Sequence, residues 1–336
     1  MRRRRFTLVR RPAGRPVEAD FALVEEEIPA LGEGEFLVAN RFASLDPAIR
    51  GWLDDAPSYM PPVPLGAAVR ASTVGEVVES RNPAFAPGTW VVGLNAIETH
   101  SVARGDGFTS PVDVGLAPSP THFLSVLGAV GMTAWFGVER VLMPRAGQTL
   151  LVSAAAGAVG SLVGQLGRLK GCTTIGIAGG EAKCRRLIER YGYAAAIDHR
   201  GRGSDAMAEA IRAAAPNGID LLFENVGGAC LDGALMNLRD GARIALCGLI
   251  SEYNAPAPVG VRNLWQLIVR KATIRGFLVS EWLPEWPDGI AAMAGLLREG
   301  RLVFDEHVER GLDRAFPAFM RLFEGSNDGK MILEIA

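Results

Sequence analysis

The run Leu150-Leu151-Val152-Ser153-Ala154-Ala155-Ala156-Gly157-Ala158-Val159-Gly160 constrains this chain more than any other. An apolar run, a turn of small residues and a helical-period stretch over 159–170 spell strand, tight turn and helix. In the pattern GxGxxG the first glycine turns the chain and the second lets backbone approach a pyrophosphate. The third lets helix and strand pack closely, and the helix N-terminus supplies N–H donors. Here Ala155 takes the first place, and Gly157 and Gly160 keep the others. The rhythm then continues with a strand over 173–177 and a helix over 181–191. Further strands fall at 219–223, 242–246 and 273–277, each separated by a candidate helix. Short strands alternating with helices imply a parallel, doubly wound α/β sheet.

Before residue 125 the pattern differs. Short apolar runs at 35–38, 73–78 and 89–92 alternate with turn residues around the loop Tyr59-Met60-Pro61-Pro62-Val63-Pro64, which reads as a β-rich unit. After Arg301 a strand, helix, strand pattern (303–308, 314–322, 330–335) fits either unit. With 336 residues, 49% of them apolar, the chain has enough material for two cores.

Charge and cysteine usage exclude several classes. Thirty-five Lys and Arg against 37 Asp and Glu leave a net charge of −2, so no global field favours nucleic acid or an anionic membrane. Apolar runs are broken well short of the roughly 18 residues a span needs, so the chain reads as soluble. Arginines 2–5 have no apolar signal core behind them and are followed by Glu18, Asp20 and Glu25, so they read as a solvated strand edge. Cys172, Cys184, Cys230 and Cys247 show no CxxC spacing, which points to a reducing cytoplasm. His100, His122, His199 and His307 form no HExxH or cluster, so no metal is expected.

The end of the second strand bears on which dinucleotide fits. An NAD site normally places Asp or Glu there, about 20 residues past the fingerprint, for the ribose hydroxyls. This strand ends Ala178-Gly179-Gly180 with no carboxylate, and Lys183 follows, which favours NADP. Glu181 turned inward would weaken that reading, and Lys183 also reads as an ordinary solvated helix residue. Further on, Glu224-Asn225-Val226-Gly227-Gly228 and Leu246-Cys247-Gly248-Leu249-Ile250 close predicted parallel strands at their C-terminal ends, where ligands sit in open α/β sheets. Gly227, Gly228 and Gly248 also read as plain strand terminators, while Asn225 suits a loop approaching a nicotinamide ribose.

These segments together resemble the medium-chain dehydrogenase/reductase superfamily, and within it the zinc-free branch of prostaglandin, leukotriene, alkenal and curcumin reductases. Further matching segments are Leu45-Asp46-Pro47 with Arg50-Gly51, Asn82-Pro83-Ala84-Phe85, Ser251-Glu252-Tyr253-Asn254, and the tail from Phe323 to Lys330. The resemblance covers most of the chain. It implies a Rossmann NADP-binding domain over 126–302, a GroES-like β-rich substrate domain over 1–125 and 303–336, and a homodimer. The relatives' zinc-binding Gly-His-Glu would fall at Leu65-Gly66-Ala67, where no ligand stands.

Carried over by position, Lys183 resembles the lysine that binds the 2′-phosphate, and Asn225, Cys247 and Asn327 resemble cofactor contacts. Met132 and Thr133 match the segment lining the cofactor cleft. The same resemblance adds Ala156, Gly157, Ala158, Val159, Gly160, Gly179, Gly248, Ile250 and Phe277 to the cofactor set. Tyr253 matches the tyrosine that closes over nicotinamide and substrate. His199 stands where many relatives have a tyrosine beside the adenosine phosphate, which leaves a weaker NADP preference or one that leans on His199 and Arg200. Ala48 replaces a common aromatic and Asn95-Ala96-Ile97 replaces a Gly-Trp-type segment, which leaves the substrate open.

The implied reaction is NADPH-dependent reduction of the carbon–carbon double bond of an enone or enal. Negative charge grows on the carbonyl oxygen, so a metal-free site needs a hydroxyl or amide donor there, and Tyr253 or the cofactor ribose fits. Tyr253 also reads as a lid that only packs on the ring, and Phe277 and Trp282 read either as pocket walls or as plain packing. A quinone reductase of the same superfamily and a non-catalytic NADP-binding protein stand as alternatives.

Overall fold

The computed structural model describes every residue except 106, 107, 258 and 336. The chain forms two units, Met1–Ser125 with Glu306–Ala336, and Val126–Asp305.

The first unit opens on strands β1 (Arg2–Leu8) and β2 (Phe21–Glu27), an antiparallel pair running from Arg2 opposite Glu27 to Leu8 opposite Phe21. Half of the arginine run is the solvated edge its charge suggests, since Arg2 and Arg4 are exposed. Strand alternation turns Arg3 and Arg5 inward, with side chains 13% and 18% exposed. Both bond Glu26, and Arg5 Nε reaches Glu98 Oε2 at 3.0 Å. Glu98 is buried, and desolvation pushes its pKa above the ordinary range against the pull of Ser101 and the two arginines.

Next come β3 (Phe36–Ser44), the short helix α1 (Ile49–Trp52), β4 (Arg70–Ser80), β5 (Trp90–Ala96), β6 (His100–Ala103) and β7 (Ser110–Pro111). The second unit begins with helix α2 (Ala129–Phe136), after which β8 (Thr149–Val152) enters α3 (Ala158–Leu169). There follow β9 (Thr173–Ala178), α4 (Glu181–Glu189), β10 (Ala195–Asp198), α5 (Ser204–Ala214), β11 (Ile219–Glu224) and α6 (Gly228–Leu235). The unit ends with β12 (Leu238–Leu246), α7 (Gln266–Val269), β13 (Thr273–Gly276) and α8 (Trp286–Arg298). Its six strands are all parallel in the order β10-β9-β8-β11-β12-β13. This is the Rossmann order: the chain winds outward from β8 in one direction, crosses, and winds outward from β11 in the other. The crevice at the C-terminal ends of β8 and β11 is where such a sheet binds ligands.

The tail, β14 (Glu306–Arg310), α9 (Ala315–Glu324) and β15 (Lys330–Glu334), returns to the first unit, whose large sheet runs β14-β15-β3-β4-β5-β7 with β6 on β3. This is the GroES-like β-rich unit. Return occurs at Glu306 rather than at residue 303. Val303 is tied both ways to Gln165 of α3 (2.7 and 2.9 Å), and Asp305 takes Arg190 Nε at 2.8 Å, so those residues stay with the Rossmann unit. In the β-rich unit the buried Lys330 donates to Leu45 O and Asp46 Oδ1, both at 2.7 Å, which joins the Leu45-Asp46-Pro47 segment to the tail.

Candidate active site

The turn after β8 is shaped by close backbone approach. Ala154 adopts a left-handed conformation (φ +46°), so the tight turn falls there and not at Ala155. Ala155 instead donates its N–H to Ile177 O at 2.9 Å and sits over Gly176, where a Cβ would lie 2.8 Å from the Ala155 methyl. Gly157 caps α3 without a side-chain acceptor, so the first-turn N–H groups from Ala158 to Gly160 face outward as donors at the positive end of the helix. A Cβ on Gly160 would be driven into Ala154 O and lie 2.8 Å from Ala155 Cα. Glycine there is what lets helix lie on strand. The buried Tyr193 hydroxyl donates to Gly160 O at 2.7 Å and locks the arrangement.

β9 itself closes on Ala178-Gly179-Gly180, with no carboxylate of its own. Glu181 points outward and pairs with Arg185 at 2.6 Å. Lys183 lies half-buried on the first turn of α4. Asp198, at the end of β10, was not foreseen as a site residue. Its Oδ1 accepts from Gly180 N (2.8 Å) and Arg200 N (3.0 Å), and the two N–H groups, that of Arg200 foremost, hold the carboxyl below its usual range. His199 stands beside Gly179, its Nε2 3.0 Å from where a Cβ would be.

The loops after β11 and β12 are organised by Glu224, to which the sequence reading gave no role. Glu224 is wholly buried. Its Oε1 accepts from Ser153 Oγ (2.9 Å), Val226 N (2.7 Å) and Gly227 N (2.7 Å), while Oε2 finds no partner among the described residues. Burial pushes its pKa up to about 7 despite those donors. Ser153 Oγ accepts in turn from Asn225 N (2.8 Å), and Asn225 Nδ2 donates to Ser153 O (2.7 Å). The only sequence signal was a carboxylate closing an otherwise apolar strand.

The loop after β12 is zipped onto this one. Ile250 N donates to Asn225 O (3.1 Å) and Ser251 N to Val226 O (3.0 Å). Tyr253 folds back so that its hydroxyl accepts from Leu249 N (3.2 Å), and a Cβ on Gly248 would lie 2.9 Å from that oxygen. Desolvation raises the Tyr253 pKa, so the phenol stays protonated at neutral pH with its O–H free to turn toward an acceptor. Cys247 is pushed up to about 12, by burial first and then by Glu224, which makes it a neutral thiol.

Among the remaining expected residues, Met132 is buried in α2 and Thr133 uses its hydroxyl on Ala129 O (2.7 Å). Phe277 packs edge-on to Phe223 (6.1 Å) and beside Trp282 (5.9 Å), which stacks on Phe136 at 5.4 Å. Asn327 belongs to the β-rich unit, where its amide donates to Gly329 O at 2.8 Å.

A cradle that a Cβ would fill, an uncapped helix N-terminus and a β9 end whose own residues carry no acid fit a phosphorylated dinucleotide. Among the described residues no group of three His, Cys, Asp or Glu is placed to hold a metal.

Comparison with known proteins gives a consistent result. Residues 4–110 match the family described as the N-terminal domain of oxidoreductase, and residues 158–295 match zinc-binding dehydrogenase. The NADPH-dependent curcumin reductase of Escherichia coli (strain K12) is 38% identical over 342 residues, spanning 100% of this chain and 97% of that protein. The NADP(+)-dependent 2-alkenal reductase of Nicotiana tabacum is 33% identical over 331 residues, spanning 96% and 94%. The crystal structure of CurA from Vibrio vulnificus in complex with NADPH superimposes with a TM-score of 0.92 at 38% identity, covering 99% of both chains.

Proposed function

The chain belongs to the medium-chain dehydrogenase/reductase superfamily, in its branch of curcumin, alkenal and prostaglandin reductases, and on that premise we propose that it reduces the carbon–carbon double bond of small enones and enals with NADPH. The observation that carries the reading is the Tyr253 hydroxyl, whose acceptor side is occupied by Leu249 N–H and whose own proton is left to donate. NADPH supplies the hydride that reaches the β-carbon. Negative charge then grows on the substrate's carbonyl oxygen, and Tyr253 stabilises it by hydrogen bonding. The α-carbon takes its proton from Tyr253 or from water. The first turn of α3 holds the pyrophosphate on its N–H groups. Asn225 approaches the nicotinamide ribose, Gly248 leaves room for ring and phenol together, and Phe277 with Trp282 walls the far side. Met132 and Thr133 line its cleft, and Lys183 attracts its 2′-phosphate.

Three further features belong to this reading. The enzyme works without zinc, since Leu65-Gly66-Ala67 offers no ligand where metal-dependent relatives would have one. It resides in the cytoplasm. It forms a homodimer through the outer edge of β13 and the neighbouring α7, where Trp265 and Ile268 are 66% and 68% exposed, more apolar surface than a lone strand edge needs. Light scattering on the purified protein checks the last point, and a monomeric mass at micromolar concentration would refute it.

The main test is NADPH oxidation against a panel of enones, enals and quinones. Turnover concentrated on enones and enals is expected. Activity confined to quinones would convert the reading to a quinone reductase, and tight NADPH binding with no turnover would leave a cofactor-binding protein.

A further inference from the structure

Arg70 stands apart from most arginines of the β-rich unit. Arg3, Arg5, Arg10, Arg50 and Arg104 each pair with a carboxylate. Arg11 Nη1 is spent on Leu53 O and Val63 O, the two ends of the loop that follows α1. Arg70 makes no ion pair among the described residues, and its one hydrogen bond runs from Nη1 to Pro61 O at 2.8 Å. An aromatic face holds the rest of the fork in place: its Cζ lies 5.9 Å from the centre of the Trp52 ring, which Tyr59 meets edge-on at 6.3 Å. Partial burial pulls the Arg70 pKa below its ordinary value, and no carboxylate opposes that pull. The guanidinium stays charged at any physiological pH, so it is a cation that has lost part of its water and gained no counter-charge.

Its surroundings are small and apolar. At the start of β4, Arg70 lies directly opposite Ala96 of β5, and Ser72, next on the same face, lies opposite Leu94. Ala48, Met60 and Leu94 are partly buried and pack against the core that contains Trp52. The carboxylates of the adjoining segments are taken, Asp54 Oδ1 by Arg50 at 2.7 Å and Glu98 Oε2 by Arg5 at 3.0 Å. An apolar wall that ends in one unneutralised fork matches an apolar chain that ends in one carboxylate. A phosphate dianion would bring a second charge, and Arg11 and Arg50, which serve the same loop, are already committed.

We propose that Arg70 binds a carboxylate at the far end of the substrate, so that this chain favours enones and enals that carry a terminal carboxylate over neutral ones. This inference rests on the enone-reductase reading above, with the β-rich unit as the substrate domain, and the experiment separates the two.

Steady-state reduction by NADPH is measured on linear enones of increasing chain length that end in a carboxylate, each beside its methyl ester, with a short neutral enone as reference. Wild type is expected to favour the acid over its ester by roughly 10-fold or more in kcat/KM at the chain length that reaches Arg70. The difference should lie in KM, because the carboxylate is remote from the reacting atoms. Arg70→Gln keeps a donor for Pro61 O and a stem for Trp52 but loses the charge, so it should bring the acid down to the ester and leave the ester within about twofold. Arg70→Lys keeps the charge without the fork and falls between. NADPH affinity, read by cofactor fluorescence titration, should stay within about twofold in both variants. Equal kcat/KM for acid and ester at every length, with the neutral enone still reduced, overturns the proposal and leaves the reductase reading standing; this comparison needs no variant. Loss of acid and ester alike in Arg70→Gln also overturns it, because the residue then serves only its own loop. Failure to reduce any enone removes the reading and this inference with it.

Discussion

The loop after β8 and the loops after β11 and β12 close neighbouring strands of one sheet, yet they are built from opposite materials. The first is shaped by what is missing: Gly160 lies against Ala154 O and Ala155 Cα because it has no side chain, and Gly157 leaves the helix start uncapped. The others are shaped by what is present, since one buried carboxylate oxygen gathers Ser153, Val226 and Gly227, and the Tyr253 hydroxyl closes on Leu249 N. The difference teaches a division of labour. On the proposed function, the backbone surface would serve a large, unchanging anion, and the side-chain network would place single donors where charge changes during the reaction.

If that division holds, the largest effect of a single atom lies in the second region. Tyr253→Phe keeps the ring but removes the donor, so kcat is expected to fall roughly 10- to 1,000-fold with little change in cofactor affinity. Tyr253→Ala, which also removes the packing, is expected to weaken binding as well. Both are measured on one good enone in the steady state, with cofactor titrations alongside. A Phe variant nearly as fast as wild type would make Tyr253 a wall and pass the donor role to the ribose hydroxyl or a water.

Glu224 gives the next effect in size, and it appears in stability. Its pKa, pushed up to about 7 by burial, lies above the ordinary value of 4.5, so the native state holds the proton more tightly than the unfolded chain does. The stabilisation from this proton is therefore complete below about pH 4.5 and is lost as pH rises through 7, about 3 kcal/mol over the interval. Glu224→Gln keeps an acceptor for the three donors and cannot ionise. Urea unfolding at pH 5 and pH 8 should show the variant gaining on wild type by that order of magnitude. Parallel curves would mean that Glu224 is ionised or neutral throughout, and the side-chain network would lose its titrating member.

The two regions were also unequally legible before the fold was known. Gly157 and Gly160 announce themselves because steric exclusion leaves one residue type, and a short apolar run such as Thr149–Val152, bounded by a turn of small residues, reads as a buried strand. Glu224 has no role that can be read along the chain, because its meaning depends on Ser153, which lies on a different strand end. Strand β10 reads Ala-Ala-Ile-Asp and carries no β-branched run to mark it, so it is recruited by pairing with β9. The same blindness applies to Arg3 and Arg5, whose inward partner Glu98 arrives from far along the chain. Local sterics can be read along a sequence, and long-range polar pairing cannot.

The smallest expected effect tests the first region on its own terms. Ala154 is half-exposed and held at φ +46°, a conformation that costs an L-residue about 1–2 kcal/mol and glycine almost nothing. Ala154→Gly relieves that strain, but it also frees the unfolded chain, which returns about 0.5–1 kcal/mol, and it removes a methyl group that is only partly buried. The balance is a gain of about 0.5 kcal/mol. Because Gly157, Gly160 and the first turn of α3 keep their places, NADPH affinity should stay within about twofold. Urea unfolding of the variant beside wild type reads the sign, and the fluorescence titration reads the affinity. A loss of stability would show that the Ala154 methyl packs for more than its strain costs, and the loop after β8 would then depend on a side chain after all.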